Sequence, residues 1–178
     1  MPADRPRMVN LAGTVALDLT TAVDAAIMDD HGLSAVEATA LTALANFAEG
    51  RSIDAVRSAL ALSQPGCARL ADRLVERGLV QRRRASQDRR VVELHLTETG
   101  RAAVQGIRLS RERVLRARLD VLTDREAAQA ERILARLAAA EIPPLPQGKD
   151  IGNRMCRMCD GDACGHPDRC PVTQALFR

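Results

Sequence analysis

The chain has 178 residues, 46% of them hydrophobic, and a formal net charge of +3. That allows one domain with a real core plus an appendage. With two Phe and no Trp or Tyr, the interior must be aliphatic and helix-favouring; so few rings argue against a single-strand nucleic-acid binder, which stacks bases on aromatic side chains.

The N-terminal MPADRPRMVN lacks the apolar segment of a secretory signal. No apolar run is expected to approach the ~20 residues of a membrane span. A cytoplasmic protein with reduced thiols and no membrane partner is the expectation.

Apolar residues at 11, 15, 19, 23, 26 and 27 predict a helix from Leu11 to about Met28, closed by Gly32. Ser34 and Glu37 have capping-box spacing and open a second helix, to about Glu49. Ser52 opens a short third, to about Leu60. Ser63 opens a fourth, with Pro65 in its first turn and Gly78 as its stop. Its apolar stripe is Cys67, Leu70, Ala71 and Leu74, which makes Cys67 a core residue. The period then changes to that of strands at 79–82 and 90–96 around a polar loop, a β-hairpin. Thr97 caps a long helix to about 120, and another runs from 123 to about 141. Their thin apolar stripes predict pairing with a second subunit. The prolines of IPPLPQGKD, residues 142–150, predict an extended linker.

Charge is concentrated. Between Arg69 and Arg90 stand eight Arg against Asp72, Glu76 and Asp88, so this segment carries +5 on a near-neutral body. Such a patch suits a polyanion. Three helices, a fourth with outward Gln64, Gly66, Arg69 and Arg73, then an arginine-rich hairpin make a winged helix-turn-helix. A helix fills the major groove, its first residues reach base edges and its N–H groups reach phosphate. Gln can read adenine and Arg guanine, and an arginine of the hairpin loop suits a narrow minor groove. Candidate DNA contacts are Ser63, Gln64, Pro65, Gly66, Arg69, Arg73, Arg82, Arg84, Asp88, Arg89 and Arg90.

The segment LSQPGCARLADRLVERGLVQRRRASQDRRVVELHLTETG, residues 62–100, resembles the MarR family of bacterial transcription regulators. Asp88-Arg89-Arg90 followed by Leu94, Leu96, Thr97 and Gly100 matches the family's wing motif, and the likeness extends over about 11–141. It implies a mainly α fold with a β-hairpin wing, a homodimer on a palindromic double-stranded operator, and a repressor of the bacterial cytoplasm, with a small-molecule effector between its DNA-binding and dimer regions. It also implies that Asp88 orients Arg90 toward the minor groove. Gly66 stands where the family usually has Thr or Ser, and the tail beyond 150 lies outside the pattern. The division expected is 1–32 dimerisation helix, 33–100 winged helix-turn-helix, 101–142 dimerisation helices, 143–150 linker and 151–178 cysteine-rich tail.

Four of the five cysteines fall in that tail, spaced Cys156-x2-Cys159-x4-Cys164-x5-Cys170. In a reducing compartment such a cluster reads as metal ligands. Four thiolates suit tetrahedral zinc, with His166 a possible substitute ligand, and zinc is the first expectation. An iron–sulfur cluster is the alternative, because Cys170-Pro171 echoes the end of ferredoxin motifs. Arg154, Arg157 and Arg169 can offset the negative charge of either. The metal site can be a structural staple or a sensor of metal or redox state.

No nucleophile triad, phosphate loop or HExxH is present, so no enzyme is expected. The rival readings are a metal- or cluster-bearing thiol redox protein and a non-specific nucleic-acid binder.

Overall fold

A 27-residue helix, α1 (Arg5–His31), begins the architecture of the computed structural model, which describes residues 4–85 and 90–178. It starts six residues before the expected Leu11, because the Asp4 carboxylate accepts the Arg7 N–H at 3.1 Å and Pro6 sits in the first turn. It ends at Gly32, whose left-handed φ of 61° lets its N–H reach the Met28 carbonyl at 2.8 Å. Only Val23 and Ile27 of α1 are buried. Met8, Val9, Leu11, Val15 and Leu17 stand exposed.

By length and composition α1 is also apolar enough to cross a membrane. This corrects the expectation that no run approaches such a length. Asp18 and Asp24 break the apolar pattern to the eye, yet they are spaced widely enough to leave a mainly apolar window.

Helix α2 (Ala35–Ala43) carries the expected capping box, with the Ser34 N–H donating to Glu37 at 2.9 Å. A π-turn, Leu44–Ala48, follows where a continuous helix was expected. A two-residue strand, β1 (Arg51–Ser52), then leads into α3 (Ile53–Leu60). Helix α4 (Gln64–Glu76) and the strands β2 (Val80–Arg84) and β3 (Val92–Leu96) come next. The sheet is antiparallel in the order β1-β3-β2, with Arg51 opposite Leu94 and Val80 opposite Leu96. This third strand adds to the expected hairpin.

Helices α5 (Glu98–Leu119) and α6 (Asp124–Ala140) match the expected pair, each begun by a threonine cap. Gly100 lets α5 press on the strand: a Cβ there would lie 2.0 Å from the Leu79 carbonyl oxygen. The main core joins Ile27, Leu33, Leu41, Leu44, Leu70, Leu74, Leu94, Leu96 and Ile107.

The tail folds as α7 (Gly148–Cys156), the single turn α8 (Gly161–Cys164) and α9 (Pro171–Leu176). The stretch from 142 to 150 is not an extended spacer. Ile142 is buried, the Leu145 N–H donates to the Leu176 carbonyl at 3.0 Å, and α7 begins inside it. Ala139, Ile142, Val172 and Ala175 form a second small core. The tail is therefore docked on the body, with apolar burial supplying the driving force that the prolines alone do not.

Candidate nucleic-acid interface and cysteine site

Helix α4 starts where its sequence requires. The Ser63 hydroxyl accepts the Gly66 N–H at 3.3 Å, and Pro65 needs no donor in the first turn. A Cβ on Gly66 would meet that hydroxyl at 3.1 Å, so the glycine leaves room for the cap. Cys67, Leu70, Ala71 and Leu74 are buried, which turns Ser63, Gln64, Pro65, Arg69 and Arg73 outward. Cys67 is a core residue. Its thiol donates weakly to the Ile53 carbonyl at 3.6 Å, and burial pushes it up from its ordinary pKa.

Two of the outward cations also have structural partners. Arg82 pairs with Asp72 at 2.8 Å and so joins β2 to α4. Arg73 lies 4.0 Å from the Glu37 carboxylate, which Arg77 approaches more closely, at 3.4 Å. Burial pushes Glu37 up. The Ser34 hydroxyl and N–H and the Arg77 charge outweigh that and hold it below its ordinary value. Arg84 and Arg90 are exposed at the outer end of the hairpin. Asp88 and Arg89 lie outside the described residues, and so does the expected Asp88–Arg90 pairing. The exposed face of α4 and the arginine-bearing strand β2 are thus joined by an ion pair.

The second constellation is the tail. Cys156 ends α7, Cys159 follows in a turn closed by its own N–H on the Cys156 carbonyl at 3.0 Å, Cys164 ends α8 and Cys170 caps α9. Asp160 caps α8, and Gly165, with φ of 74°, turns the chain back. All four thiols and His166 line one cavity of about 220 Å³. His166 shares a hydrogen bond with the Thr173 hydroxyl at 3.0 Å. Among the described residues, no three His, Cys, Asp or Glu side chains are grouped so that they hold one metal ion as placed.

Burial, reinforced by the neighbouring Cys170 and Cys164, pushes the Cys156 thiol up to about 11. Burial and Cys159 push Cys164 up as well. Burial also raises Cys170, but the hydroxyl and N–H of Thr173 and the N–H of Val172 outweigh it and leave this thiol lowered. Burial pushes the Cys159 thiol up as well, so three of the four thiols are held toward their neutral form and one toward its thiolate.

Spacing along the chain held no signal for the residues that join the tail to the body. Asn46, in the π-turn, donates its amide N–H groups to the carbonyls of Cys159 at 2.9 Å and Cys156 at 3.2 Å. Its amide oxygen accepts from Arg108 at 2.8 Å. Asn46 and Phe47 also line the cysteine cavity. Of the expected tail cations, Arg169 lies 3.9 Å from Glu131. Arg154 and Arg157 instead border a cleft of about 530 Å³ with Arg111, Val23, Val36 and Leu115.

Comparison with known proteins agrees with this geometry. Residues 31–91 match the model of the MarR family. The HTH-type transcriptional repressor MdtR of Bacillus subtilis (strain 168) is 34% identical over 84 residues, which is 47% of this chain and 54% of that protein. The chain thus spans about half the length of that relative. Three solved structures share the fold. The YusO protein of Bacillus subtilis has a TM-score of 0.65 at 24% identity, covering 79% of this chain and 99% of its own. A MarR family protein from Bacillus stearothermophilus has a TM-score of 0.68 at 23% identity, covering 77% and 96%. CouR from Rhodococcus jostii RHA1, solved bound to p-coumaroyl-CoA, has a TM-score of 0.59 at 24% identity, covering 77% and 95%.

Proposed function

We propose that the protein is a MarR-type transcription repressor that binds a palindromic duplex operator as a homodimer; the match of residues 31–91 to the MarR family model and the shared fold support this reading. The observation that carries this reading is the outward face of α4, where Gln64, Pro65 and Arg69 stand exposed beside the arginines of β2. Gln64 and Arg69 read base edges, while Arg84 and Arg90 serve phosphate or minor groove.

The dimer reading rests on the apolar residues left uncovered on α1, together with Ile133, Leu134 and Leu137 on α6. A second copy covers these faces, which also accounts for the apolar character of α1 without a membrane. The working compartment is the bacterial cytoplasm. The cleft lined by Arg111, Arg154 and Arg157 is the place for a small anionic effector. Cys156, Cys159, Cys164 and Cys170 form a metal centre, for zinc or an iron–sulfur cluster.

Selection of bound fragments from a random duplex library tests the regulator reading. It should enrich an inverted repeat, and Arg69→Ala should lose about 1–3 kcal/mol on that repeat. Enrichment of no sequence, with equal loss on all duplexes, would reduce the protein to a non-specific binder.

A further inference from the structure

We infer that the cysteine tail supplies an anion-binding wall to the half-open cleft bordered by α1, α2 and α5, where Arg154 of α7 and Arg111 of α5 hold the acid group of a small organic carboxylate with an apolar body. This rests on the effector reading above. It names the chemical class that the cleft takes and the residues that select it.

Uncommitted charge is the first argument. The other described arginines in the second half of α5 have partners. Arg113 pairs with Asp30, Arg116 with Glu112 and Arg118 with Asp18, while Arg108 donates to the Asn46 amide oxygen. Arg111 on the same helix, and Arg154 across the cleft in the tail, have no carboxylate partner among the described residues. Both are half-buried and both border the cleft. Arg157 borders it too, exposed, and donates to the Arg154 carbonyl at the end of α7. Against these three guanidiniums the lining sets one carboxylate, Asp24. Half-buried cations attract an anion more strongly than exposed ones, because water screens them less.

Hydrogen-bond direction is the second. The hydroxyls of Thr20 and Thr39 in the lining already donate to the Ala16 and Ala35 carbonyls, at 2.8 and 2.7 Å. A guanidinium only donates. The cation side of the cleft therefore requires an acceptor, and a planar carboxylate matches the fork of an arginine.

The apolar lining is the third. Leu19, Val23, Val36, Leu60 and Leu115 contribute it from the body. Met158 adds to it from the tail and packs against the main core; its flexible thioether adapts to the shape of a ligand. A bare inorganic anion would leave this surface wet, whereas an acid with an aromatic or aliphatic body covers it.

Docking of the tail places these residues. Helix α7 packs on α3, and α9 packs on α6. Asn46 holds the carbonyls of Cys156 and Cys159, on either side of Arg157 and Met158. The cysteine tail and the cleft thus share one segment.

The test is calorimetric titration of the full chain with 2-naphthoate, its neutral amide and inorganic phosphate, with operator selection on the same preparation. 2-Naphthoate should bind, and the amide and phosphate should each bind about 10-fold more weakly or worse. Arg154→Ala should weaken 2-naphthoate about 10-fold and leave the amide unchanged, which also shows that the cleft is intact. Arg154→Lys should restore part of the loss, since the charge remains and the fork does not. Loss in Arg111→Ala with none in Arg154→Ala would keep the effector cleft and overturn the role of the tail. Equal affinity for acid and amide, or phosphate as tight as 2-naphthoate, would overturn the ligand class. No binding of 2-naphthoate would overturn the site, and selection of an operator by that preparation would leave the regulator reading standing. Arg154-dependent binding in a protein with no duplex preference would support the site and sink the regulator.

Discussion

The side-chain amide of Asn46 donates to the main-chain carbonyl of Cys159 at 2.9 Å across 113 residues of sequence. Arg108, which only donates, holds the amide oxygen and so fixes which way the amide points. The tail is thereby fastened to the π-turn that leads toward α3 and α4. Asn46→Leu should cost about 1–3 kcal/mol, since it leaves two carbonyls and a guanidinium without their partner. Hydrogen exchange should show lost protection at the 156–165 backbone with α4 little changed. Unaltered exchange there would mean that apolar packing alone docks the tail.

Glu37 ties the cap of α2 to the end of α4. Burial raises its pKa, and the Ser34 and Arg77 contacts more than reverse this, so the folded value is lowered from the ordinary 4.5. The unfolded chain then binds the proton more readily. The stabilising contribution is complete above 4.5 and is lost as pH falls through the lower folded value. Glu37→Gln should destabilise the protein by about 1–3 kcal/mol at neutral pH. Its deficit should shrink progressively below the ordinary value. Denaturant titrations at pH 7 and at low pH would reveal this; a constant deficit would place the effect in packing instead of charge.

Gly100 sits where α5 crosses the start of the hairpin. Thr97 anchors the same junction, its hydroxyl donating to the Gly78 carbonyl at 2.7 Å and its N–H to the Leu79 carbonyl at 3.1 Å. A methyl at position 100 would have to displace backbone, not a flexible side chain. Gly100→Ala should lower stability by about 1–3 kcal/mol or more, read as a fall in Tm. An unchanged Tm would mean that α5 can slide away from β2 freely.

On the proposed operator-binding reading, Gln64 and Arg84 separate two kinds of DNA contact. Gln64→Ala should relax base preference at one position of each half-site while binding to unrelated duplex is unchanged. Arg84→Ala should weaken all duplexes alike and reduce the slope of log affinity against log salt by about one. Binding measured at several salt concentrations distinguishes these outcomes, and identical behaviour of the two variants would refute the division of roles.

Local chemistry made most of the body legible. Ser34 with Glu37, Ser63 with Pro65, and the threonines at 97 and 123 mark helix starts through a few adjacent atoms, and Gly32 marks a stop through its backbone freedom. The start of α1 had the same kind of signal in Asp4 and Pro6, but without apolar periodicity beside it. Strand β1 was hidden because two residues have no period, and only Leu94 and Glu93 opposite them define the pairing. The cysteine spacing announced a cluster of thiols, and the fold gathers all four around one cavity, whereas the docking of the tail depends on Asn46 and Arg108, distant in sequence and unremarkable in type. Prolines at 143, 144 and 146 suggested an extended spacer; burial of Ile142 folded it back.

The claim on which the rest depends is that two copies place their α4 helices and wings on one duplex. Hydroxyl-radical footprinting on the selected operator, with sedimentation of the same complex, tests it most directly. Two chains per duplex are expected, with two symmetric protected patches centred about 10–10.5 base pairs apart, or a multiple of that. A single chain with one patch, or uniform protection along the duplex, would contradict it.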